Sequence, residues 1–290
     1  MSDSLLPTPH RIVVAAHPKI PEALTEAAAI CAYLEEHNLE SVHGTFDDVE
    51  LRKRVRDSKF DLMVAVGGDG TMLRASHLCA PSGLPILGVN TGRLGFLIQL
   101  DRKEWQPSFD LLLKGDFWIE NRMMLRAEHV RSGESMGIWH ALNEAVVTRG
   151  PSVRPVRLSA SVDGRLLANY VADGLIAATP TGSTAYALAA GGPILPPELR
   201  NLLLVPIAPH LSVDRAVVLS EGTSVSITLR SGDAVLSIDG QIPVGLAEGD
   251  VVDVRAGDYN ARFVRFSDPG YFYRNLTAHM NQNPSIGFPR

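Results

Sequence analysis

The chain has 290 residues, 45% of them hydrophobic and 20% charged, with a mean hydropathy of +0.06; this excludes a disordered chain or a fibrous repeat and allows one large domain or two modest ones. Acidic side chains number 32 against 27 basic ones, a net charge of −5, which argues against a broad nucleic-acid face while allowing a local basic cleft for a phosphorylated ligand. Cys31 and Cys79 lie in helix-like stretches without C-x-x-C spacing, residues 1–10 lack the basic start and apolar run of a secretory leader, and no apolar run reaches the ~20 residues of a membrane helix. The expectation is a cytoplasmic protein with reduced thiols and no membrane partner.

Residues 11–16 form a short β-branched run, and Pro21 then opens a segment in which Leu24, Ala27, Ala28, Cys31 and Leu34 recur at helical spacing. Residues 41–46 and the charged stretch 47–56 repeat the strand-then-helix order. Residues 61–66 lead into a third helix beginning after Gly70, and 85–89 supply a further strand. This alternation predicts an α/β domain with a mostly parallel sheet over residues 1–115, ending in a connecting helix at 103–114.

From residue 116 the pattern becomes longer β-like runs separated by turns. Asp163-Gly164 between 158–162 and 165–168 is a strong hairpin signal, and further strands are expected at 217–219, 224–229, 234–238, 251–255 and 262–266. A β-rich domain is therefore expected over 116–268. Residues 271–280 read as a terminal helix, placed with a loose 281–290 tail in a segment 269–290.

Three stretches carry chemistry. Gly67-Gly68-Asp69-Gly70-Thr71 follows a buried strand and enters a helix, so backbone can approach a ligand closely and the helix start offers N–H groups to anions. Asp69 would repel bare phosphate, and so should contact a hydroxyl, accept a proton or hold a bridging cation; the plainer alternative makes it the helix N-cap. The chain has no Gly-Lys dipeptide and hence no P-loop, and Leu73 stands where a dehydrogenase fingerprint needs its last glycine. Asn90-Thr91-Gly92-Arg93-Leu94-Gly95-Phe96 follows the next strand and should lie beside the glycine turn. Arg93 and Arg74 are each as consistent with a solvated charge as with a phosphate contact.

Leu142-Asn143-Glu144 sets an amide and a carboxylate at the start of an apolar strand, which suits ribose hydroxyls and purine edges, or else faces solvent from an edge strand. Thr179-Pro180-Thr181-Gly182-Ser183-Thr184-Ala185-Tyr186 clusters hydroxyls at a helix start closed by Gly191-Gly192. It reads equally as a polar cradle with Tyr186 stacking on a base or as an elaborate helix cap. The histidines form no H-E-x-x-H or Cys/His cluster and no G-x-S-x-G elbow exists, which disfavours a zinc site and a hydrolase triad.

Together with Asp173-Gly174 and Gly191-Gly192-Pro193-Ile194, these motifs resemble, in order and over most of the chain, those of the bacterial NAD kinases. The glycine turn is shared with lipid kinases and phosphofructokinases, whereas the Ser/Thr-rich motif is specific. The resemblance implies an α/β domain followed by a β-sandwich, and transfer of the terminal phosphate of ATP to the 2′-hydroxyl of NAD's adenosine ribose. A lipid kinase and a non-catalytic NAD sensor are the rivals. It further implies Asp69 as proton acceptor. The NAD and ATP contacts it implies are Gly67, Gly68, Gly70, Thr71, Arg74, Asn143, Glu144, Arg154, Asp173, Thr184, Ala185, Tyr186, Ala187, Leu188, Ala189 and Gln241. No metal ligand is assigned, because a divalent cation, Mg²⁺, arrives with ATP. A homo-oligomer, dimer or tetramer, is expected. Val171 departs from the pattern, because many relatives place a basic residue there.

Overall fold

A computed structural model describes residues 7–92, 95–151, 153–210, 213–266, 270–274 and 276. They form two compact units, one of the described residues up to Asn121 and from Ala261 onward, the other Arg122–Asn260.

In the first unit, strand β1 (Arg11–Ala16) is buried from Ile12 onward because it lies between two parallel neighbours, β2 (Glu40–Thr45) and β3 (Leu62–Gly67), and β3 pairs in parallel with β4 (Ile86–Asn90). Strands covered on both faces read as continuous apolar runs, as β1, β3 and β4 do. Helix α1 (Pro21–Glu36) carries Pro at its first position and buries Ala23, Ala27, Ile30, Cys31 and Leu34, while Leu24 and Ala28 are exposed rather than part of the buried face. Helix α2 (Val49–Arg56) starts where the Asp48 carboxylate accepts from the Glu50 and Leu51 N–H groups. Helix α3 (Asp69–Cys79) begins at Asp69, not after Gly70. A two-residue β5 (Leu100–Asp101) pairs with the end of β4, and the connecting helix α4 (Trp105–Leu113) is shorter than expected. Both cysteines are buried free thiols, and burial pushes both upward in pKa.

The second unit is two antiparallel sheets around one apolar core. In the first, β6 (Trp118–Arg131) forms a hairpin with β7 (Glu134–Ala141). The second has its strands in the order β13 (Val217–Ser220), β12 (Asn201–Ile207), β11 (Gly174–Ala178), β8 (Glu144–Arg149), β15 (Ala234–Ile238) and β16 (Val244–Leu246). The expected hairpin is present: β9 (Val156–Val162) and β10 (Arg165–Ala172) are joined by Asp163 and Gly164 at φ 48° and 75°, the left-handed pair that a two-residue turn requires. β14 (Val225–Ser231) pairs with β9 and with β17 (Val251–Arg265). Leu125, Leu158, Tyr170, Leu175, Leu204, Ile227, Leu236 and Val254, drawn from both sheets, fill the space between them.

One expectation is corrected. The separate strands at 251–255 and 262–266 are one strand, β17, whose residues from Ala261 belong to the first unit, where Phe263 pairs with Ile86 of β4. A linear division at 115/116 and 268/269 differs from these units for the same reason: the chain leaves the first unit along β6 and returns to it along β17. Residues 271–274 are helical, while the rest of the expected terminal helix beyond 276 and the tail at 281–290 lie outside the described residues.

Candidate active site

Gly67 ends β3 with its Cα pressed against the next helical turn: a Cβ there would lie 2.1 Å from Thr71 Oγ1 and 2.9 Å from Thr71 Cβ, so only glycine fits. By contrast, Cβ atoms at Gly68 and Gly70 would meet nothing within 4 Å. The turn is thus tight on its inner side and open on its outer side, the arrangement a ligand needs to approach backbone. Gly68 is the N-cap, its carbonyl accepting from Thr71 and Met72 N–H, and Thr71 Oγ1 is buried without a hydrogen-bond partner.

The N-cap reading of Asp69 fails, because Asp69 is the first helical residue and its carboxylate turns away from the helix. Oδ2 accepts the Phe96 N–H at 2.8 Å and Oδ1 the Leu97 N–H at 3.2 Å. A Cβ on Gly95 would fall 2.2 Å from Oδ2, so the absence of a side chain there lets the loop lie flat against the carboxylate. As expected, the two loops are neighbours: Gly67 is in register with Asn90, and Thr91 N–H donates to Gly67 O at 3.1 Å. Buried Asn90 ties its own loop by donating from Nδ2 to Gly92 O at 2.8 Å. Arg74 forms an exposed pair with Asp47 at 3.3 Å, and Arg93 lies outside the described residues.

In the second unit three motifs converge on one end of β8. The Asp239 carboxylate accepts from the Leu142, Asn143 and Glu144 N–H groups at 2.7, 2.9 and 2.9 Å. Asn143 O accepts from Thr179 N–H at 2.8 Å, Thr179 Oγ1 donates to Leu142 O, and the Gly182 Cα sits so close that a Cβ would be 2.1 Å from Asn143 O. β8 is central, between β11 and β15, so the edge-strand alternative for Asn143-Glu144 fails. Glu144 is 7% exposed with Oε2 unpartnered; burial and then the charge of Asp239 push its carboxyl up to about 8. Asp239 and Gly240, at φ 45° and 69°, turn the chain after β15, and the Asp239 clamp on residues 142–144 is a contact across the sheet that no local pattern encodes.

The hydroxyl cluster is largely committed to its own turn. Thr179 Oγ1 also accepts from Gly182 N–H, Ser183 Oγ donates to Pro180 O and accepts from Leu195 N–H, Thr184 Oγ1 donates to Thr181 O, and Thr181 Oγ1 accepts from Arg122. What remains outward is Tyr186, 44% exposed, at the start of the four-residue helix α5 (Tyr186–Ala189), whose Ala187 is buried and whose Leu188 is half-buried. Ala185 caps it. Gln241 is exposed just past the Asp239 turn.

Asp173 is not brought to this group. It lies beside Arg149, its carboxylate 3.1 Å from Nε and its carbonyl accepting from Arg149 N–H, at the opposite end of β8 from Glu144. At ~3.4 Å per strand residue the two acids are roughly 17 Å apart along the strand. Arg154 is exposed in the loop before β9. Val171 has Arg157 as its cross-strand neighbour, so the adjacent strand carries a basic residue in register with the position that lacks one. Among the described residues no group of three or more His, Cys, Asp or Glu side chains could hold a metal ion, and no helix is long and apolar enough to cross a membrane.

Residues 9–117 match the model for the ATP-NAD kinase N-terminal domain and residues 142–266 that for the ATP-NAD kinase C-terminal domain. A curated NAD kinase of Heliobacterium modesticaldum is 40% identical over 274 residues, covering 90% of this chain and 95% of the relative. One from Symbiobacterium thermophilum is 45% identical over 224 residues, 76% and 78% of the two chains. Among solved structures, yeast NADH kinase complexed with NADH aligns with a TM-score of 0.83 at 25% identity, over 97% of this chain and 91% of that one. An Archaeoglobus fulgidus NAD kinase in complex with ATP aligns with a TM-score of 0.75 at 26% identity, over 92% and 98%.

Proposed function

Because the chain belongs to the NAD kinase family and is an ATP-dependent phosphotransferase acting on NAD, we propose that Asp69 is the base that takes the proton of the adenosine ribose 2′-hydroxyl. The hydroxyl oxygen forms a bond to the terminal phosphorus of ATP, the bond from that phosphorus to ADP breaks, and the proton passes to the Asp69 carboxylate. NADP and ADP are the products. The observation that carries this reading is the carboxylate's geometry: the Phe96 and Leu97 N–H groups fix both oxygens of an acid that stands in the glycine turn, beside the open faces of Gly68 and Gly70. Transfer is largely dissociative, so positioning supplies most of the acceleration. The open outer side of Gly68 and Gly70 at the start of α3 suits phosphate, and Arg74, one turn on, supplies a cation; Thr71, expected as a contact, is buried on the inner side of the turn and shapes it from beneath. A divalent cation, Mg²⁺, comes with ATP and neutralises its phosphates.

Asn143 and Glu144 take ribose hydroxyls and adenine, with the buried, unpartnered Oε2 of Glu144 left to pair with a ligand hydroxyl. Tyr186 stacks on a base, the backbone of Thr184 to Ala189 lines the site, and Gln241 contacts the dinucleotide. Asp173 and Arg154 serve the dinucleotide from another copy of the chain, since one nucleoside does not span the length of β8 to touch both Glu144 and Asp173. That separation, and the edge positions of β13 and β16, support a dimer or tetramer. We place the protein in the cytoplasm.

Incubation with NAD, ATP and Mg²⁺ should yield NADP, and excess EDTA should abolish it without unfolding the chain. Asp69→Asn should lower kcat by ~10²–10⁴-fold with NAD affinity preserved. The amide also loses one acceptor for the loop N–H groups, so a modest fall in thermal midpoint accompanies it. Wild-type kcat in this variant sinks the assignment.

A further inference from the structure

The loop that holds Asp69 is itself held by a buried cation. Arg265, the last residue of β17, is 2% exposed. Its Nε donates to Glu120 Oε2 at 2.7 Å and its Nη1 to Leu97 O at 3.0 Å, while its guanidinium carbon sits 5.0 Å from the centre of the Phe263 ring. Nη2 is buried without a partner. Leu97 is therefore gripped at both ends, its N–H by Asp69 and its carbonyl by Arg265. The four residues form one chain of contacts, Asp69 to Leu97 to Arg265 to Glu120, inside the first unit.

A stability role accounts poorly for this group. A buried ion pair seldom stabilises more than a well-packed apolar pair would, because desolvating both charges offsets their attraction. Here the fork is not even fully satisfied. What a planar guanidinium does give is geometry: two donors at fixed separation lock a carboxylate and a carbonyl relative to each other. The segment it locks lies between β4 and β5, and its described residues belong to no strand or helix that would fix them.

We propose that Arg265 is a positioning residue for phosphoryl transfer, holding the Phe96-Leu97 backbone so that its N–H groups keep the Asp69 carboxylate in its reactive orientation. It rests on Asp69 being the base, and acts only through it. Displacement of a reacting group by about 1 Å costs on the order of 10²-fold in rate, and the effect belongs in kcat, because Arg265 touches none of the groups assigned to NAD or ATP.

The test is a double-mutant cycle of Arg265→Met and Asp69→Asn on the full-length protein, reading kcat and both KM values from NADP formation. Arg265→Met should lower kcat by about 10–100-fold with KM for NAD and for ATP nearly unchanged, and the loss should vanish in the Asp69→Asn background. Arg265→Lys keeps a charge beside Glu120 but not the planar fork; it should fold if the Met variant does not, and show the same pattern. Losses that multiply in the double variant, a change confined to KM, or wild-type kcat in Arg265→Lys overturn the proposal while leaving the base assignment standing. Wild-type kcat in Asp69→Asn alone overturns both.

Discussion

Replacing Glu144 by Gln should make the protein more stable, and increasingly so as pH rises. Burial and the nearby Asp239 push the Glu144 carboxyl up to about 8, against 4.5 for the ordinary group. The folded chain therefore holds a proton that the unfolded chain has released anywhere between those values. Stability must then fall as pH rises through that window and level off above it. At about 1.4 kcal/mol per pH unit, the penalty is about 3 kcal/mol at pH 7 and about 5 kcal/mol above pH 8. Gln has the size of the neutral acid and cannot ionise, so the variant should match wild type near pH 4.5 and diverge from it upward. Guanidinium unfolding from pH 5 to 9, without NAD and at one protein concentration so that assembly does not shift the midpoint, measures the difference directly. A difference independent of pH would refute the reasoning, since a carboxylate that is already ionised in the folded protein leaves Gln nothing to relieve.

Asp239→Ala should strip three backbone N–H groups of their acceptor and cost roughly 3 kcal/mol or more in urea unfolding, with NAD affinity falling as the 142–144 segment loosens. Asp239→Asn should do less, because its amide oxygen still accepts and Asn tolerates the positive φ. Asp250 is held well below the usual carboxylate range by the Arg131 fork first, against the cost of burial and with help from Ala247 N–H and His129. Its contribution is present above its unfolded value of 3.8 and lost as pH falls below it, so Asp250→Asn should be less stable at neutral pH and show a flatter acid limb in thermal melts. Sedimentation at micromolar concentration should find a dimer or tetramer, and a fully active monomer would contradict that reading.

The sequence by itself determined the local chemistry. Continuous apolar runs fixed which strands are buried on both faces, Pro21 and the glycines marked where helices and turns begin, and Asp163-Gly164 specified its hairpin, because each depends on neighbours within a few residues. The glycine turn, Asn143-Glu144 and the Thr179 motif were legible for the same reason. Tertiary structure alone decided that Asp69 turns from its helix to a loop 27 and 28 residues on, that Asp239 clamps the start of β8, and that Asp173 lies at that strand's far end. It also decided that residues 251–265 form one strand, and that Arg265, which carries no motif, reaches the Asp69 loop. Each is a contact between residues far apart in the chain, set by sheet order and register rather than by any local pattern, and so no periodicity or spacing could announce it.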